Sequence, residues 1–163
     1  MEQKAFTVAE ANALIPTLES VLAEVERRMN QVQITAERLQ VLDVLWGARV
    51  LAKGNPDHAE AQSFRMEIAT LMGEIEEIVE RDIQARGLRF PQGGLEHGLI
   101  DFPTTWQGRW VYLCWRRGEP IIASWHEIDE GFAGRHELTL EQVRGMGRED
   151  GQRGNSEIPR KNT

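Results

Sequence analysis

The stretch Gly98–Arg135, GLIDFPTTWQGRWVYLCWRRGEPIIASWHEIDEGFAGR, decides the fold. It holds four of the five tryptophans, the single Tyr and the single Cys. Gly-containing turns at Gln107-Gly108 and Arg117-Gly118-Glu119 divide it into three antiparallel strands, at about 98–104, 109–116 and 121–126. An even-numbered first loop and a three-residue second loop put Ile100, Phe102, Val111, Leu113, Trp115, Ile121, Ala123 and Trp125 on one face. All of these are apolar. The other face receives Asp101, Trp110, Tyr112, Cys114, Ile122, Ser124 and His126, turned toward water or a guest. A two-residue second loop would mix the two sets.

Upstream of this stretch the pattern is helical. Thr7-Val8-Ala9-Glu10 has the form of a capping box, so a short helix is expected over about 7–14. Pro16 lacks an N–H and clashes with the preceding turn, which predicts a kink there and a second start. Apolar residues then recur in threes and fours from Leu18 to Val50, predicting a helix over about 16–52, ~50 Å long. From Leu39 onward Val41, Val44, Leu45 and Leu51 widen the stripe, so that part must be buried on several sides. Asn55-Pro56-Asp57 restarts the chain, and Phe64 to Ile83 carry a second stripe, predicting a helix over about 56–86. The short connection makes the two long helices an antiparallel hairpin.

These elements predict an α+β fold: a long antiparallel helical hairpin packed on a small three-stranded antiparallel meander, as one domain over 1–144. Thr139-Leu140-Glu141-Gln142 caps one or two further turns. Residues 145–163 have too few apolar groups to offset the entropy of ordering and are expected to be a disordered tail. A small sheet cannot cover every apolar side of such a hairpin, so a homodimer through the long helices is expected.

The net charge of −7 argues against a nucleic-acid partner, which would need clustered Lys and Arg, and against an anionic membrane surface. No apolar run approaches the ~20 residues of a membrane span. No signal-peptide pattern opens the chain, and one cysteine forms no internal disulfide, so a cytoplasmic location is expected.

The polar sheet face is where chemistry is expected. His126 leads His-Glu-Ile-Asp-Glu, and imidazole with carboxylates can hold a divalent metal ion or act as an oriented base. His126, Glu127 and Asp129 are the candidate metal ligands, although Glu130 stands where an HExxH motif would need its second His. Asp101, Tyr112, His126 and Arg135 are the candidate ligand-binding residues. In the register above Asp101 and His126 lie four residues apart along the strands, ~13 Å, too far to share one ion. Arg135 closes a glycine-bounded loop, Gly131 to Gly134, that can hold an anion, or it pairs with a nearby acid. Cys114 between bulky neighbours reads as a small buried residue rather than a nucleophile. Walker, GxGxxG, GxSxG and CxxC patterns are absent from the sequence.

Phe6-Thr7, Glu10-Ala11-Asn12 and Leu14-Ile15-Pro16, then Gly98 to Pro103, Gly108-Arg109 and Val111 to Arg116 resemble a prokaryotic family. So do Gly118-Glu119-Pro120, Trp125 to Asp129 and Gly131 to Arg135. The family is domain-of-unknown-function family 2203, and the resemblance implies a free-standing domain without implying an activity. Two functions follow as expectations. The first is a non-enzymatic oligomeric binding or assembly module with a small ligand or ion site on the polar sheet face. The alternative is a metal-dependent hydrolase using His126 and its neighbouring carboxylates.

Overall fold

A computed structural model describes residues 2–148. The fold is α+β, and the described residues fall into two compact units: residues 2–19 with 83–148, and Ser20–Asp82.

Helix α1, Val8–Trp46, contributes to both units. Its start is the expected capping box: Glu10 N donates to Thr7 Oγ1 at 3.1 Å, and Thr7 N donates to Glu10 Oε1 at 3.3 Å. Pro16 does not divide it. The proline stands on the exposed side, while Ala11, Ile15, Leu18 and Val21 are buried on either side of it and hold the helix through that position. α1 ends at Trp46 because Gly47 takes a left-handed φ of 56°, and a 3-10 segment, Gly47–Leu51, follows.

In the Ser20–Asp82 unit, α1 packs antiparallel against α2, His58–Asp82. Leu42, Val50 and Ala61 form its core, with Leu39, Trp46 and Phe64 packed around them. Trp46 Nε1 donates to Asp57 Oδ2 at 2.7 Å and fastens the connection. Farther along, Arg28 pairs with Glu74 at 3.0 Å.

The other unit is built on a four-stranded antiparallel sheet in the order β1-β2-β3-β4: Leu99–Trp106, Arg109–Arg116, Ser124–Glu127 and His136–Glu137. The expected three strands are present. β4 adds two residues opposite Ser124 and Trp125, too few to leave a periodic signal. Gln107 and Gly108 both have positive φ, 52° and 75°, the geometry of a two-residue type I′ hairpin loop. That loop sets Asp101 opposite Cys114, in keeping with the even-numbered loop read from the sequence.

The β2–β3 connection differs. Tyr112 faces His126 and Leu113 faces Trp125, a slip of two residues from the three-residue-loop register. The loop is longer because side chains tie it down: Asn12 Oδ1 accepts from Ile122 N at 2.7 Å, and Glu19 Oε1 accepts from Gly118 N at 3.0 Å. Residues 121–123 therefore lie outside the sheet, with Ile122 buried and Ile121 exposed, the reverse of the expected pattern. A slip of two keeps the parity of every side chain. Ile100, Phe102, Val111, Leu113 and Trp115 accordingly share a buried face, and Phe6 meets Phe102 edge-on.

Helix α3, Gly94–His97, leads into β1, and α4, Leu140–Gly145, begins at the Thr139–Gln142 capping box. The first residues of the expected tail are ordered. Met146 is fully buried and Gly147 N donates to Thr105 O at 3.0 Å. The rest of that tail, 149–163, lies outside the described residues.

Candidate functional site

Residues directly opposite one another in a sheet point to the same face. The registers therefore lay a row of side chains across it: Arg89, Asp101, Cys114, Ser124 and Glu137. Tyr112 and His126 form the neighbouring pair on that face. Arg89 joins by an antiparallel bridge to the outer edge of β1, with Asp101 N donating to Arg89 O at 2.9 Å.

The centre of this face is closed to solvent, contrary to the expectation, while Arg89, Trp110 and Glu137 at its margins are exposed. Asp101, Cys114 and His126 are all fully buried. The two-residue slip of β3 brings His126 diagonally over Asp101, so the expected ~13 Å gap closes to a contact of 3.0 Å between His126 Nε2 and Asp101 Oδ1. Arg89 donates to the other carboxylate oxygen, Nη2 to Oδ2, at 3.1 Å. Its guanidinium lies 3.9 Å over the Tyr112 ring, whose centroid is 5.5 Å from that of His126. Tyr112 also lines a cavity of about 160 Å³ with Pro103, Trp110 and Ile128. Such a space holds a few waters or a small ion and is below the size of an ordinary metabolite pocket.

His126 faces an acceptor at each ring nitrogen, because Nδ1 lies 2.8 Å from the Glu127 carbonyl oxygen. Only the imidazolium has a proton for both. Burial pushes its pKa down, but hydrogen bonds with Asp101, Cys114 and the Glu127 carbonyl outweigh that and raise it from 6.5 to about 10. His126 therefore meets a carboxylate, a carbonyl and the Cys114 thiol at once.

Asp101, Tyr112 and His126 are brought together, but the remaining candidates are not. Glu127 points to the opposite face, where Arg109 binds it at 2.5 and 3.2 Å and holds its carboxyl below the usual range. Asp129 is exposed in the turn after β3. Arg135 Nη2 binds both carboxylate oxygens of Glu119 at 2.8 Å, with the guanidinium over Phe132, so its partner is an acid outside the glycine loop.

Two residues of the cluster escaped sequence reasoning. Arg89 sits in Leu88-Arg89-Phe90, an alternating run between Gly87 and Pro91 whose period of two was the available signal. Cys114 is buried as read, but its Sγ, Asp101 and His126 offer metal-ligand atoms within 4.8 Å of one another.

Fold and site together define a small α+β protein with a helical hairpin and a buried carboxylate–thiol–imidazole cluster on an antiparallel sheet. The chain belongs to the family described as uncharacterized conserved protein, DUF2203, whose model matches residues 4–138. The match includes every residue of the cluster. No curated protein and no solved structure matches the chain.

Proposed function

We propose that this protein is a non-enzymatic binding module, a cytoplasmic homodimer that holds a small ligand or divalent ion on the polar face of its sheet. The observation that carries this reading is the contact of Asp101 with His126 beneath Tyr112 and Arg89. Three strands converge there on chemically different donors, and Tyr112, beside His126, lines a cavity of about 160 Å³. Full burial of Asp101, Cys114 and His126 disfavours turnover of a bulky substrate. The hydrolase alternative has less support, since Glu127 and Asp129 do not join His126.

The homodimer is supported by the Ser20–Asp82 unit, where Val41, Val44, Leu45 and Leu51 are 58%, 79%, 61% and 61% exposed. The partner proposed for this apolar band is a second copy of the chain, since the net charge of −7 does not suit nucleic acid. No helix among the described residues is long and apolar enough to cross a membrane. A single buried free cysteine suits a reducing cytoplasm. Native mass spectrometry of untagged protein tests both parts. A dimer with a small mass bound to each chain is the expected result, and a bare monomer at low micromolar concentration would overturn the reading.

A further inference from the structure

Resting on the reading that the polar face binds a small guest, we propose that Asp101, Cys114 and His126 form a site for a thiophilic divalent metal ion of the zinc class. Arg89 is its positioning residue. The three groups are one O, one S and one N donor, with their ligand atoms within 4.8 Å of one another. Zinc bonds of roughly 2.0–2.3 Å in a tetrahedral arrangement set donors about 3.3–3.7 Å apart. The contact of 3.0 Å between His126 Nε2 and Asp101 Oδ1 needs to open by only a few tenths of an ångström to become such an edge. A thiolate with an imidazole selects against magnesium and calcium, which take oxygen ligands, and for zinc and its neighbours.

The groups behind the donors fit the same assignment. A metal-binding His ordinarily gives its other N–H to a carbonyl or carboxylate, and a metal-binding carboxylate is itself hydrogen-bonded. Here Nδ1 is placed on the Glu127 carbonyl at 2.8 Å, and Asp101 Oδ2 receives Arg89 at 3.1 Å. The donors come from the adjacent strands β1, β2 and β3, whose registers hold them in place. Three protein ligands leave a fourth position for water or a small anion. Arg89 is half-exposed, so it can swing aside without unpacking the sheet, and its guanidinium over Tyr112 marks the side from which an ion would enter.

Cobalt(II) added to the untagged, metal-stripped full chain reads the donors directly, because a thiolate ligand gives an intense near-ultraviolet charge-transfer band. The expected result is that band at about one equivalent, displaced by zinc and lost in Cys114→Ser. Arg89→Met keeps the backbone bridge and should retain the band while weakening zinc binding roughly 10- to 100-fold. Circular dichroism shows whether each variant is folded, and Arg89→Met carries the test should Cys114→Ser fail to fold. Cobalt bound without the band, or with a band that survives Cys114→Ser, would overturn the thiolate site and leave the general binding reading standing. Absence of cobalt and zinc binding to the wild type would overturn the metal assignment. A different small mass that native mass spectrometry finds on the wild type but not on Arg89→Met would then show that the general reading survives.

Discussion

At the scale of the residue, His126 governs how the metal-free protein responds to pH. Its pKa is raised from 6.5 to about 10, so between those values the folded state holds a proton that the unfolded chain has released. Raising the pH through that window therefore destabilises the fold. The contribution is complete below about 6.5 and is lost as the pH approaches 10. Urea unfolding of metal-free protein at several pH values across the window should show midpoints that fall with pH, and His126→Gln should flatten the trend. Asp101→Asn leaves Arg89 and the imidazolium without their shared anion, and should cost about 3–5 kcal/mol in the same measurement. That Asp101 and His126 share a face was legible from the parity of their positions. That they touch was not, because contact depends on a loop length set by Asn12 and Glu19, about a hundred residues away in sequence.

At the scale of the element, local chemistry was readable where its partners are close in sequence. The Thr7–Glu10 box starts α1 and the Thr139–Gln142 box starts α4, both as their residues suggest. Thr7→Ala removes one acceptor from the start of α1 and should lower stability by about 1 kcal/mol by thermal unfolding. The helix through Pro16 and the order at Gly147 were hidden because distant packing decides them. Gly147 has a φ of 76°, and a Cβ there would lie 2.4 Å from the Phe6 carbonyl oxygen. Gly147→Ala should accordingly destabilise the sheet unit by well over the ~1 kcal/mol of a mere left-handed strain, and hydrogen exchange at Phe6 and Thr105 should accelerate.

At the scale of the whole molecule, the exposed band of Val41, Val44, Leu45 and Leu51 carries the prediction about assembly. Val44→Glu with Leu45→Glu should convert the proposed dimer to a monomer in sedimentation, with each chain still folded by circular dichroism and its unfolding midpoint lowered only by what association contributes. By itself the sequence determined the α+β class, the helical hairpin, the Gln107-Gly108 turn and the alternation that sorts β1 and β2 into two faces. Those features rest on periodicity, caps and turn residues, which act over a few positions. Tertiary structure alone decided the β3 register, the arrival of Arg89 at the sheet edge and the burial of Asp101, Cys114 and His126 against one another. Each of these depends on side chains remote in the chain meeting in space, and no short-range pattern encodes such a meeting.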